Sequence, residues 1–111
     1  MVEQQAVQLD LIFQALANTT RRAMLRQLAQ GERTVSALAG PFTMSLAAAS
    51  KHIKVLERAG LVRRTVQGRT HICQLDATAL AGANAWLDDY QHFWIDRLDA
   101  FEALFAGSEE V

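Results

Sequence analysis

The chain has 111 residues, 50% of them hydrophobic and 21% charged, a formal net charge of -1, and one cysteine, Cys73. These totals fit one globular domain with a modest core and exclude disordered and disulfide-stapled classes. No apolar run reaches the roughly 20 residues that span a bilayer and no secretion signal is legible, so the expected setting is cytoplasmic, with no membrane partner.

The first element in chain order is a helix over Leu9–Ala17, where Leu9, Ile12, Phe13 and Leu16 recur at helical spacing. Asn18 or Thr19 is a good N-cap for a second helix over Thr20–Gln30, which presents Ala23, Met24, Leu25 and Leu28 and stops at Gly31. Thr34 can cap a short third helix, Val35–Ala39, with Val35 and Leu38 inward. Gly40-Pro41 breaks it, since proline lacks a donor and restricts the residue before it. A fourth helix, Ser45–Ala59, is capped by Thr43 or Ser45. Ala49, Ile53 and Leu56 face its core, Leu46 and Val55 flank them, and Ser50, Lys51, Lys54 and Arg58 lie opposite, with Gly60 as the stop. Residues 61–66 and 70–75 are β-branched and partly alternating, and Gln67-Gly68-Arg69 between them reads as a hairpin turn. Asp76 or Thr78 can cap a last helix that runs to about Phe105. Along it Leu80, Leu87, Trp94 and Phe101 lie seven apart, with Tyr90 and Leu98 at intermediate positions. Trp86, Phe93 and Ile95 widen this stripe, and a helix apolar on so much of its circumference calls for a partner subunit. The tail, Gly107–Val111, reads as frayed and acidic.

Charge is segregated along the chain. Residues 18 to 71 hold ten of the eleven Lys/Arg against only Glu32 and Glu57, whereas the remainder sets Arg97 against ten acids. A basic middle between acidic ends can meet phosphates, or folding can intermingle the two into a solvated mixed surface. The element order resolves the choice. A short helix, a turn and a polar-faced helix make a helix-turn-helix, and the basic hairpin after it makes a wing. The fold class is therefore mainly α with a β-hairpin wing, in the order α-α-α-α-β-β-α, as one winged helix-turn-helix domain over residues 1–111. The fourth helix fits a major groove. Small residues at its start (Ser45, Ala47, Ala48, Ala49) let the backbone approach bases, and Ser50, Lys51 and His52 supply donors. Gln67, Gly68 and Arg69 at the hairpin tip are placed to track a minor groove, with Arg63 and Arg64 contacting phosphates along the hairpin.

The run from Met44 to Val62, with Ser50-Lys51-His52-Ile53-Lys54-Val55-Leu56 at its centre and Ala59-Gly60-Leu61-Val62 after it, resembles the recognition helix of ArsR-family repressors. Phe13 to Arg22 is similar to that family's entry into its second helix, with Asn18-Thr19 where Asp-Pro is common. Gly68-Arg69 before a β-run is similar to its wing. The resemblance implies a homodimer built from the helices at 9–17 and 77–106, through Leu9, Ile12, Phe13, Leu80, Leu87, Tyr90, Trp94, Leu98 and Phe101. It implies a helix-turn-helix over 35–60 and a wing over 61–75. It also implies repression from an inverted-repeat operator in double-stranded DNA, and many relatives release DNA when an effector binds. On this reading Lys51, Lys54 and the wing arginines neutralise phosphates, while Ser45, Ala48, Ser50 and His52 sit where bases are read; His52 reads as facing DNA or packing between helices rather than as a metal ligand.

Metal-responsive relatives carry a Cys-x-Cys pair where this chain has Thr34 and Ser36, and hydroxyls are poor ligands for soft metals. A second class uses the last helix, which offers Asp88, His92 and Asp96 at four-residue spacing along with Asp89 and Asp99; a solvated acidic face is the expectation, with no metal and no cofactor. The last helix resembles a metal-independent branch of the family. Cys73 reads as a buried, inert thiol, and a redox role would need a cross-subunit partner. Trp86, Tyr90, Phe93 and Trp94 read as core and dimer contact, against the alternative of a pocket for a small-molecule effector. No phosphate-binding loop, zinc motif or nucleophile elbow is present, so no enzyme is expected. The competing functions are a winged-helix protein-interaction module without operator binding, and a metal-responsive repressor using last-helix ligands. Another winged-helix family, the MarR type, usually carries longer flanking helices than this length supplies.

Overall fold

Helix α1 (Val2–Leu16) and helix α2 (Thr19–Leu28) meet at a sharp joint. Asn18 sits there in an extended conformation and its side-chain oxygen accepts the Arg21 N–H at 3.0 Å, which makes it the N-cap. The structure is a computed structural model that describes residues 2–109. Helix α1 begins at Val2 rather than Leu9, because Glu3, Gln4, Gln5 and Gln8 are good helix formers that carry no apolar stripe to announce them. Strand β1 (Arg33–Thr34) has no counterpart in the sequence reading. It pairs antiparallel with the hairpin, Arg33 opposite Cys73 and Thr34 opposite Ile72. Two residues are too few to show alternation.

Thr34 also caps helix α3 (Val35–Ala39), accepting the Ala37 N–H at 3.1 Å. Ser45 does the same for helix α4 (Leu46–Arg58), accepting from Ala48 at 3.1 Å. The far end of α4 closes through Gly60, whose φ of +79° is the left-handed region that glycine enters without penalty. There Gly60 N–H donates to Glu57 O and Leu61 N–H to Leu56 O, at 2.9 and 3.0 Å, the paired bonds of a Schellman motif. Leu56 and Leu61, its hydrophobic partners, are both fully buried.

Strands β2 (Val62–Gln67) and β3 (Thr70–Leu75) form the hairpin, in register from Val62 opposite Leu75 to Gln67 opposite Thr70. Of the two loop residues only Gly68 has positive φ, +64°, the signature of a type II′ turn. The sheet order is β1-β3-β2.

The core gathers one face from nearly every element: Ile12 and Ala15, Met24 and Leu28, Leu38, then Ala49, Ile53 and Leu56, with Leu61, Val62 and Cys73 from the hairpin's base. Each large aliphatic among them contributes about 1.5–3 kcal/mol by leaving water. Helix α5 (Thr78–Glu109) starts where Asp76 Oδ1 accepts the Thr78 N–H at 3.1 Å, and packs on α1. Of its described side chains only Ala83 is buried. The expected frayed tail is helical to Glu109, while residues 110–111 lie outside the described residues. No helix among the described residues is long and apolar enough to cross a membrane.

Candidate nucleic-acid interface

Burial of Ala49, Ile53 and Leu56 fixes the rotation of α4. The opposite arc then faces solvent. Ser45, Ala47, Lys51, Lys54 and Arg58 are exposed, and Ala48 and Ser50 are half-buried beside them. Leu46, read as flanking the core, is instead 57% exposed on this arc. Lys51, Lys54 and Arg58 make no hydrogen bond or ion pair among the described residues, so their charges face water.

A groove of about 630 Å³ runs between this arc and the hairpin. Lys54, Arg64, Arg69 and His71 put basic groups on its walls, and Ser36 and Ser50 add hydroxyls. Thr34, Ser36, Leu46, Thr70 and His71 reach this groove although the sequence reading did not assign them to the interface. The fold brings in Thr34 and Ser36 through the two-residue strand β1, which carries no legible signal.

The basic residues of the chain's middle divide into two sets. Arg21 and Arg22 hold the joint together. Arg21 Nε and Nη2 donate to Ala15 O and Gln14 O at 2.8 and 2.9 Å, and Arg22 Nη1 donates to Leu16 O at 2.6 Å. They satisfy carbonyls that the end of α1 leaves without intrahelical partners. Arg21 Nη1 also lies 3.3 Å from His52 Nδ1. His52, read as facing DNA or packing between helices, is half-buried on the α2 side of α4, the second of those placements. On the hairpin, Arg63 pairs with Asp76 at 3.1 Å and Arg64 pairs with Glu57. Arg63 is 70% exposed at its side chain and Arg64 only 17%. Asp76 is held below the usual carboxylate range by hydrogen bonds from the Thr78 hydroxyl and backbone N–H, then by Arg63. Gln67, Gly68 and Arg69 at the tip are exposed, as the hairpin reading requires.

The residues assigned to a dimer contact also divide. Ile12 is 2% exposed and belongs to the protomer's own core, because α1 turns it toward α2 and α4. Leu9, Phe13 and Leu80 are half-buried at the edge of that core. Leu87, Tyr90, Trp94, Leu98 and Phe101 are 47–57% exposed. An aromatic ladder begins at Phe13, edge-on to Trp86 at 5.6 Å, and continues through Tyr90 to Phe93 and Trp94.

Thr34 Oγ1 is engaged as the α3 cap where metal-responsive relatives place a thiolate. On α5, His92 Nε2 lies 3.6 Å from Asp88 Oδ2, and no three His, Cys, Asp or Glu among the described residues gather as a metal site would need. Cys73 is fully buried, and burial pushes its thiol above the ordinary value despite the nearby Arg64 charge.

Comparison with known proteins bears on these features together. Residues 16–65 match a helix-turn-helix domain family. Over 95 residues, 86% of each chain, the sequence is 40% identical to the HTH-type transcriptional regulator Rv2034 of Mycobacterium tuberculosis. Among solved structures, an ArsR family transcriptional regulator (RHA00566) is 45% identical, with a TM-score of 0.76 over 80% of this chain and 92% of that one. A homodimeric winged helix-turn-helix DNA-binding domain from Mycobacterium bovis is 30% identical, with a TM-score of 0.60 over 83% of this chain and 84% of that one.

Proposed function

Since this chain belongs to the ArsR family of winged helix-turn-helix transcriptional regulators, we propose that it is a repressor that occupies an inverted-repeat operator as a homodimer. One observation carries the reading. Apart from Leu46 and the small alanines, the solvent arc of α4 is polar and basic, and it shares a groove with the basic hairpin. An interaction module would show apolar or acidic side chains there. Lys51, Lys54 and Arg69, exposed and without partners among the described residues, supply the phosphate neutralisation that gives affinity. Ser45, Ala47, Ala48 and Ser50 bring a slender, hydroxyl-bearing surface to base edges. Two copies joined through α5 would present two α4 helices to half-sites about 34 Å apart. The exposed apolar side chains of α5 support that assembly, since a monomer seldom leaves so large a patch in water.

The test is fluorescence anisotropy on the DNA upstream of the protein's own gene and on scrambled DNA of equal length, across a salt series, with and without zinc. We expect tight, selective binding of one dimer that zinc does not alter. Weak binding, equal on both DNAs, would overturn the operator reading. Zinc-dependent release would move the regulation to Asp88, His92 and Asp96.

A further inference from the structure

We propose that Arg64 is a positioning residue rather than a phosphate contact, joining the wing to the last turn of α4 through Glu57 and so holding Arg69 at a fixed reach from the α4 surface. The proposal rests on the operator reading. The backbone of Arg64 pairs with that of Cys73, at the point where β3 enters the core. Arg63, one residue earlier, projects into solvent, whereas Arg64 turns toward α4. There Nη2 donates to Glu57 Oε1, and Nε is buried without a hydrogen-bond partner.

Although Arg64 lines the groove, a guanidinium held by Glu57 with its Nε enclosed is poorly placed to reach DNA. Leaving Glu57 would separate a part-buried ion pair, and breaking such a pair costs more than losing an exposed one. Arg69 differs in each respect, being exposed and without a partner among the described residues.

The position of the pair along the hairpin gives it its consequence. Beyond Arg64, every β2 side chain is exposed, and among the described residues no side-chain hydrogen bond ties residues 65–72 to the helices. Backbone pairing with β1 holds β3 as far as Ile72, opposite Thr65, so the free outer hairpin is residues 66–71, and Arg64–Glu57 is its last side-chain anchor to α4. Arg69 sits at its free end. Loosening the anchor leaves Arg69 chemically intact but spreads its position, so the cost of ordering it falls on DNA binding.

The two roles for Arg64 predict opposite signs for one substitution. Glu57→Ala removes a negative charge beside the DNA surface and keeps a good helix former in α4. If Arg64 were a phosphate contact restrained by Glu57, freeing it would tighten operator binding and steepen the salt slope by about one unit. As a positioning residue it predicts weaker binding, by about threefold to tenfold, with no steeper slope, even though a negative charge has been lost.

The experiment measures operator anisotropy for wild type, Glu57→Ala, and the charge-swapped pair Glu57→Arg with Arg64→Glu, each with and without Arg69→Ala. Thermal melts establish that each variant is folded. We expect Arg69→Ala to be costly in wild type and nearly silent in Glu57→Ala. We expect the swapped pair to recover both affinity and dependence on Arg69, which also keeps the test decisive if Glu57→Ala folds poorly. Equal or tighter binding by Glu57→Ala, or an Arg69→Ala penalty as large there as in wild type, overturns the positioning role. So does a folded swapped pair that recovers nothing. Absence of selective binding by the wild type would instead remove the operator reading, and this proposal with it.

Discussion

Lys51 and Lys54 extend from the solvent arc of α4 with no partner among the described residues, whereas Arg21, Arg22 and Arg64 hold backbone or carboxylate oxygens within the protomer. Charge of one sign along the sequence thus serves two purposes, and only the first set can exchange counterions for DNA phosphates. Lys51→Ala is expected to weaken operator binding and flatten the salt slope by about one unit, read from anisotropy across a salt series. Should Lys51 contact guanine instead, selectivity at one base pair would relax with the slope kept. Asp76 carries a different test. Its carboxyl is held low in the folded state by Thr78 and Arg63, so the stability it adds is present above the ordinary carboxylate range and fades as pH falls through the lowered value. Asp76→Asn should therefore melt earlier than wild type near neutral pH, and the gap should close in acid.

At the level of elements, α4 is bounded by two devices that differ in what they tolerate. Ser45 caps its start, and Ser45→Ala should cost about 1 kcal/mol in chemical denaturation. Gly60 ends it at φ +79°, where an added Cβ would also approach Gln8 Nε2 to 3.3 Å and Ala79 to 3.6 Å. Gln8 Nε2 in turn donates to Ala59 O at 2.6 Å, so α1 and the end of α4 meet at this glycine. Gly60→Ala should destabilise by more than about 1 kcal/mol, since the gain in unfolded-state entropy is outweighed where φ is positive. A melting temperature equal to wild type would show that the turn relaxes. The elements also explain how much was readable beforehand. Caps at Asn18, Thr34 and Ser45 and the stop at Gly60 are local chemistry, and the helix ends they set follow from them, whereas α2 ends at Leu28 with Ala29 as its C-cap, before the expected stop at Gly31. Strand β1 was not readable, because two residues become a strand only by pairing with β3, some forty positions away.

Across the whole molecule, α5 is the element that the protomer leaves unfinished. Its 32 residues extend about 48 Å at helical rise, and the molecule measures 73 × 36 × 21 Å, elongated far beyond its core. Leu87 and Phe101 lie on the exposed apolar side. A polar substitution at either should yield a monomer in sedimentation or light scattering and abolish most operator affinity, because one α4 helix meets only one half-site. A stable monomer that retains full operator binding would refute the dimeric architecture.

Periodicity and caps were enough to establish the helix order, the hairpin and, Leu46 apart, the arc of α4 that meets solvent, since each depends on residues within a turn or two of one another, and the runs at 13–22, 44–62 and 68–69 together pointed to the family. Tertiary structure alone decided what the side chains are free to do. Ile12 is apolar at the same spacing as Phe13, yet one is sealed in the protomer's core and the other reaches Trp86. Arg63 and Arg64 are adjacent and chemically identical, yet β pleating turns one to solvent and the other onto Glu57. His52 lies within the most recognisable run of the chain, but its partner, Arg21, is on another helix. Local sequence specifies which elements form and which face each one buries, whereas the partner of a given charge depends on distances between elements, which exist only once the core has packed.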